Sequence, residues 1–571
     1  MRVTLIPRSQ GAGVVLVLAV IWFALFFGLG KLPLIQPDEG RNAEVAREMN
    51  GSGAWLSPSY DGITYLDKPA FYFKAVALSL AAFGDNETAA RLPSALFALA
   101  LLATAFAFCR HAYGTRCAMM SVMVIASMPL FVMMARTVIF DIALAFFESA
   151  AIFAGFLAEE REGKSRRNWY LLGALSAGLA TLVKGPVGFL IPGLVLFVFN
   201  RVEGRRGVWK RFFAPLNLLV FFGVTLPWFI GLSLQHPDFP YYGLIEESIH
   251  RFTTASFHRT QPFYFYALIV AGLFLPWSLI LPEAGVAAWK NKKAMLSADR
   301  LCLVWAVAIV VFFSLSKSKL PGYILTATVA CGILVARFFE RAMENPGSRP
   351  ARIIFRAATA LGVLGFLAAI VAIVLSPRMR SLAGPSGISP AAAAELGRHF
   401  TMSIVLLFVL SVLVLLLRFW RDPGLCFFIF AISPLLLFTV NFGTIEMAFN
   451  AKSARQLSET IPALPPGTTL VFLQCFPNGL PFYLERTATL ITKDGTELGS
   501  NYILFRLENS PAWPANLVPL TNFDQYISQR KNPIYLLTSE NNRPELNEIG
   551  IRPGDIQALK PPYLGVFLAA P

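Results

Sequence analysis

Residues 353–375 read IIFRAATALGVLGFLAAIVAIVL, an apolar run interrupted by a single charge, Arg356. A helix of about 20 such residues crosses the hydrocarbon core of a bilayer, because every backbone polar group is satisfied within the helix. Val14–Gly30, Leu92–Phe108 and Cys117–Met134 repeat the pattern. The chain has 571 residues, 56% of them hydrophobic and 15% charged, and its mean hydropathy is +0.58. A soluble domain of this size cannot bury that much apolar surface. The first run follows Arg2 and Arg8 as a signal peptide would, but no small-residue cleavage site follows and further spans do.

By the same length rule about thirteen spans are expected, near 12–30, 88–109, 117–134, 138–158, 169–182, 186–200, 212–234, 264–282, 301–315, 322–339, 353–375, 401–418 and 424–440. The net charge of +15 falls mostly between these spans, so it reports topology rather than nucleic-acid binding. If the N-terminus is cytoplasmic, every second loop should be basic. Those loops are 110–116, 159–168 (EEREGKSRRN), 200–211 (NRVEGRRGVWKR), 290–300, 337–352 and 418–421, and all carry Lys or Arg. The alternation places loops 31–87 and 235–262, and the C-terminal region, on the outer face. Near Asn450 the long apolar runs stop. Residues 451–571 alternate short apolar runs (Thr468–Phe472, Ile503–Phe505, Ile534–Leu537, Tyr563–Leu568) with helical stretches, which predicts a small α/β domain outside the membrane. The fold class is thus an all-α polytopic bundle over 1–450 with a C-terminal α/β domain over 451–571. The six cysteines are scattered and form no CxxC pair, so neither a disulfide framework nor a cysteine metal site is indicated.

The first outer loop carries QPDEGRNAEVAREMNGSG from Gln36. Ala43, Val45, Ala46 and Met49 predict a short helix closed by Gly51 and Gly53. Asp38 has two readings: a cap of that helix, or a base at the membrane surface within reach of a lipid-linked substrate. Asp141 begins an otherwise apolar span with Glu148 deeper. Ionisable groups there face a partner or a polar cavity, so Asp141 either pairs with Arg136 or holds an acceptor or cation beside Asp38. Lys68-Pro69, Lys184-Gly185-Pro186 and Lys317-Ser318-Lys319-Leu320-Pro321 set cations at outer boundaries, where snorkelling and binding of a lipid phosphate are the competing accounts. His250, Arg251, His258 and Arg259 follow in the next long outer loop. Two histidines alone do not make a zinc site. There is no Walker loop, no GxGxxG between strand and helix and no HExxH, so a lipid-carried donor fits better than a soluble nucleotide.

Asp38 to Met49 (DEGRNAEVAREM) followed by Tyr65-Leu66-Asp67-Lys68-Pro69 resembles the opening of the aminoarabinose-transferase-like glycosyltransferases, members of the GT-C group that also contains protein O-mannosyltransferases. Arg136–Asp141, Thr181–Pro186 (TLVKGP), His258–Tyr264 (HRTQPFY) and Ser316–Leu325 (SKSKLPGYIL) continue it in order. The resemblance covers roughly residues 14–340 and implies transfer of a sugar from a polyprenyl phosphate, typically undecaprenyl phosphate, at the periplasmic face of a bacterial inner membrane. Lipid A is the best-known acceptor and 4-amino-4-deoxy-L-arabinose the best-known sugar. It makes Asp38 the main catalytic carboxylate, Asp141 the second, Lys68 a ligand of the carrier phosphate and Tyr323 part of a loop closing over it. Glu39, Arg41, Asp67, Arg136, Lys184, Arg251, His258, Arg259, Lys317 and Lys319 complete the expected substrate-binding set. Membrane lipids are expected partners; nucleic acid is not. The chain departs from the family at Asp67 (usually Glu), Ala70 (often Pro) and Ser248 (often His). The family's Glu and His are the positions to connect with a bound metal, so their change weakens the expectation of a divalent metal without removing it, and no other cofactor is implied. The rival readings are a protein O-glycosyltransferase of the same architecture and a lipid or sugar transporter. A transporter would set its polar groups near the midplane in related halves, whereas here they lie in outer loops.

Overall fold

The structure is a computed structural model that describes residues 10–254, 259–290, 295–383, 390–510, 512–548 and 551–570. Among the described residues seven helices are long and apolar enough to cross a membrane: Glu87–Tyr113, Asp141–Glu159, Pro215–Gln235, Ser297–Leu315, Arg349–Val374, Gly397–Leu416 and Pro423–Val440. The helix pair Thr115–Ser127 and Pro129–Ala135 adds an eighth if it counts as one span bent by 73°. The bend has a local cause. Met128 precedes Pro129 and is extended (φ −69°, ψ 125°), since the proline ring disfavours a helical residue before it. The remaining expected spans also fall on helices. Gln10–Phe26 and Val187–Val202 are short, and Gly163–Lys184 and Ala327–Glu344 carry charges in their terminal turns. The run 264–282 is broken into Phe265–Leu273, Trp277–Leu279 and the start of Leu281–Lys290, with Pro276 at the break. The chain is a multi-pass membrane protein.

The loops sort to two ends. At one end the expected basic loops meet one another: His111 faces Glu160 (3.3 Å), Arg211 pairs with Glu159 (2.5 Å), Arg300 pairs with Glu203 and Arg341 with Asp299 (2.8 Å). At the other end the first long loop, residues 239–254 and 259–262, residues 316–324 and the C-terminal domain converge. The first long loop is itself structured. It holds Asp38–Ser52, ended by Gly53 in the left-handed region (φ 69°), and a second helix, Phe71–Phe83, that the sequence reading did not separate. Asp38–Ser52 is buried on most of its surface, because it is sandwiched between bundle and C-terminal domain. A Cβ on Gly40 would stand 2.5 Å from the Gly479 Cα, so no larger residue fits at that crossing.

The C-terminal domain is built on a six-stranded sheet ordered Leu517–Pro519, Thr489–Thr492, Thr469–Leu473, Ile534–Ser539, Tyr563–Leu568, Ile556–Ala558. The first four strands are parallel and the last two antiparallel to their neighbours. Parallel strands require crossovers, and the short helices Leu480–Leu484, Asn501–Asn509 and Phe523–Ser528 lie in them. The alternation of the strands assigns their faces. Val471, Leu473, Ile491 and Leu536 fill a core internal to the domain. Leu470, Phe472, Leu490, Tyr535 and Leu537 belong to one cluster with Tyr60, Tyr65, Tyr72 and Phe73 of the first loop. One face of the sheet is therefore packed onto the membrane-embedded half.

Candidate active site

Asp38 is the first residue of its helix, with Pro37 before it, and no side-chain hydrogen bond caps that helix. Its carboxylate is free of the capping role that the sequence left open. It stays about half exposed and accepts from Arg41 Nη2 (2.6 Å). Arg41 also donates from Nη1 to the Gly499 carbonyl (2.7 Å). Glu39, one residue on, is buried and faces away. It takes two bonds from Arg91 (2.9 and 2.8 Å) and one from the Val138 amide (2.9 Å). Arg91 in turn donates to the Leu29 and Pro33 carbonyls. This network fixes where the first loop leaves the bundle, and with it the position of Asp38.

Asp38 opens onto a cavity of about 200 Å³ whose walls come from seven segments of the chain. The carboxylates on its walls are Asp38, Asp67 and Asp141; the cations are Arg41, Lys68, Lys184, Arg251 and Arg259. Asp141 pairs with Lys184 (2.5 Å) rather than with Arg136. Lys184 lies over the rings of Tyr323 (4.5 Å) and Phe140 (5.1 Å), a cation–π setting. Lys68 donates to the Asp67 carbonyl (2.8 Å) and is paired with Glu247, which also holds Arg251. Burial alone would raise the Glu247 carboxyl, but Lys68 and Arg251 on either side hold it below its ordinary range. Arg251 reaches the Tyr323 hydroxyl (3.3 Å). Gly322 packs on Asp141: a Cβ there would stand 3.2 Å from the carboxyl carbon. The surplus of cations suits an anion with two or more oxygens. Arg41, Lys68, Lys184 and Arg251 are each already oriented by a carboxylate, hydroxyl or ring.

Some expected site residues lie elsewhere. Arg136 donates to the Ala24 (3.2 Å) and Phe27 carbonyls and lies over Phe438, so it closes the end of the first helix. Lys319 donates to the Gln261 and Ser316 carbonyls, which shapes the loop before Tyr323. Lys317 is exposed outside the cavity walls, and His258 lies outside the described residues. Glu39 works through its contacts with Arg91. The site also uses residues that the sequence reading passed over: Asn42, Tyr65, Gly499 and Asn501. Gly499 and Asn501 belong to the C-terminal domain, and no local pattern marks them.

The family-implied metal does not fit these side chains. The Asp67 carboxylate is turned to protein donors: its Oδ1 accepts from Tyr242 OH (3.0 Å), Ser500 Oγ (3.2 Å) and Tyr502 N (2.7 Å), and its Oδ2 accepts from Asn501 N (3.2 Å). Ser248 Oγ donates to the Gly243 carbonyl (2.7 Å). One buried oxygen nearby lacks a partner, Glu247 Oε2, but a single oxygen flanked by Lys68 and Arg251 is no cation site. Among the described residues no group of three or more metal-ligating side chains occurs.

A polytopic bundle crowned by a small sheet domain, with a cation-walled pocket between the two, defines a membrane protein of the GT-C type. Residues 67–230 match the family described as dolichyl-phosphate-mannose-protein mannosyltransferase. The chain is 30% identical over 405 residues to an undecaprenyl phosphate-alpha-4-amino-4-deoxy-L-arabinose arabinosyl transferase of Edwardsiella ictaluri, covering 70% of this chain and 71% of that one. A protein of the same description from Pseudomonas fluorescens is 29% identical over 56% of this chain; the chain spans about half its length (55%). The crystal structure of ArnT from Cupriavidus metallidurans bound to undecaprenyl phosphate superposes with a TM-score of 0.82 at 26% identity, over 99% of this chain and 100% of that one. The chain belongs to the undecaprenyl phosphate-aminoarabinose arabinosyl transferase family.

Proposed function

We propose that the chain transfers 4-amino-4-deoxy-L-arabinose from undecaprenyl phosphate to lipid A, with its pocket on the periplasmic face of the inner membrane. The observation that carries this reading is the convergence of Lys68, Lys184, Arg251 and Arg259 on one small cavity that also holds Asp38 and Asp141. In the reaction the bond between the sugar's anomeric carbon and the carrier phosphate breaks, and a bond from the acceptor oxygen to that carbon forms. The electron pair of the broken bond stays on the phosphate. Lys68, Lys184 and Arg251 stand ready to stabilise that charge as it develops, in a site where few waters compete. Asp38 orients the acceptor oxygen. For a hydroxyl acceptor it takes the proton. For an ionised phosphate it positions the nucleophile and stabilises positive charge on the sugar.

Purified protein incubated with carrier-linked aminoarabinose and lipid A should release free undecaprenyl phosphate and yield lipid A heavier by one aminoarabinose in mass spectra. Carrier release with a peptide acceptor and not with lipid A would favour a protein O-glycosyltransferase. No carrier release with any acceptor would remove the enzyme reading. The periplasmic orientation rests on the basic-loop alternation. In intact spheroplasts a cysteine introduced at Asp494 should label from outside and one at Arg205 should not; the reverse result would overturn the orientation.

A further inference from the structure

The Asp67 carboxylate joins two distant parts of the chain. Ser500 caps the helix Asn501–Asn509 through its own hydroxyl (3.3 Å to the Ile503 amide). The amides of Asn501 and Tyr502, left over at that helix start, point at Asp67 instead. Asp67, Ser500, Tyr502 and Tyr242 are all almost wholly buried. The same corner of the C-terminal domain presents the Gly499 carbonyl to Arg41, and Arg41 holds Asp38. Gly499 and Asn501 are also walls of the cavity. A continuous chain of contacts therefore runs from Asp67 through Gly499 and Arg41 to Asp38.

We propose that Asp67 is a positioning residue rather than a metal ligand: it fastens the Gly499–Tyr502 corner over the pocket and, through Gly499 and Arg41, sets the orientation of Asp38. The assignment rests on the reading of Asp38 given above. It accounts for a carboxylate one methylene shorter than the Glu of the resemblance. Three donors meet its Oδ1 and one its Oδ2, so the carboxylate is turned to the domain corner, and among the described residues no set of three ligating side chains forms around it. Ser248, where the resemblance has His, is then free to bond its own helix backbone.

The test compares the full-length protein in detergent with Asp67→Asn and Ser500→Ala, using four readouts. Asparagine keeps the size of the side chain but offers one acceptor oxygen to four donors. Amide exchange over 499–505 should quicken by about tenfold or more in Asp67→Asn, as loss of a charge-assisted hydrogen bond implies, and by less in Ser500→Ala. The kcat for aminoarabinose transfer should fall by about tenfold or more in Asp67→Asn, while affinity for undecaprenyl phosphate stays within about threefold, because the Lys68 contacts do not pass through the corner. Metal analysis of the unmodified protein should find no stoichiometric divalent ion, and chelation should leave its turnover unchanged. Unchanged exchange in Asp67→Asn would overturn the proposal. So would carrier affinity falling in parallel with kcat, or one equivalent of metal that Asp67→Asn loses. If the unmodified protein turns nothing over, the functional reading fails separately, and the exchange and metal arms still decide whether Asp67 holds the corner.

Discussion

The two ends of the helical bundle are made from the same residue types and arrive at opposite results. At the end formed by the basic loops, Asp299 is buried between Arg337 and Arg341 (2.8 Å to Arg341), Arg337 also holds Glu340, and Glu159 is shared by Arg211 and Tyr170. These groups pack against one another. At the end crowned by the C-terminal domain, Asp38, Asp141, Lys68, Lys184 and Arg251 are also paired, but around a cavity. A paired charge that faces only its partner contributes to architecture. One that faces its partner across a space large enough for a headgroup can exchange that partner for a ligand. The difference lies in what keeps the walls apart: the Glu39–Arg91 network and the docked sheet hold the crown end open.

That contrast can be broken from either side. The largest effect is expected from Asp38→Asn. Transfer should be abolished while thermal unfolding moves little, since the Asp38 carboxylate is about half exposed, asparagine keeps an acceptor oxygen for Arg41, and the buried Arg41 keeps the Gly499 carbonyl. Near-normal turnover of the purified variant would return Asp38 to a structural role. Next comes Lys68→Ala. Affinity for the sugar-loaded and the free carrier should fall together, by about tenfold or more, as expected for loss of a charged contact to phosphate, with acceptor affinity nearly unchanged. Unaltered carrier binding in a folded variant would eliminate Lys68 as a phosphate ligand even if activity fell. At the opposite end Asp299→Ala should invert the pattern. Removing one partner of a buried ion pair costs about 3–5 kcal/mol, and the partial exposure of Arg337 and Arg341 brings this toward about 2–3 kcal/mol. The melting temperature should drop while turnover per folded molecule holds; a loss of kcat at unchanged stability would show that the two ends are not separable in this way. The smallest effect belongs to Gly322→Ala. Its methyl group would press on the Asp141 carboxyl at 3.2 Å, so kcat should fall a few-fold with no measurable change in stability. No change in kcat would mean that Asp141 has slack at that wall.

The bundle was legible because most of the expected spans are long apolar runs, a signal that survives without partners. The pocket was legible in part. Asp38, Lys68, Asp141, Lys184, Arg251 and Tyr323 sit in motifs near the ends of spans, and the structure brings them together. Arg136 and Lys319 sit in similar places and turn instead to backbone carbonyls. A cation at a membrane edge looks the same in sequence whether its partner is a helix end or a phosphate. Glu39 carried the same ambiguity, and Arg91, which resolves it, stands 52 positions away. The contribution of the C-terminal domain was out of reach for a related reason: Arg41 and Gly499 are separated by 458 positions, and only docking of the sheet brings them together.

The docked face of the sheet also has a directional consequence. Leu470, Phe472, Leu490 and Leu537 share one apolar cluster with Tyr60, Tyr65 and Phe73. Swinging the domain off the bundle would return that surface to water at about 25 cal/mol per Å². The crown therefore behaves as a fixed roof rather than a hinged one. A molecule that reached Asp38 by lifting this roof would carry that cost, and one that entered between the walls of the cavity would not.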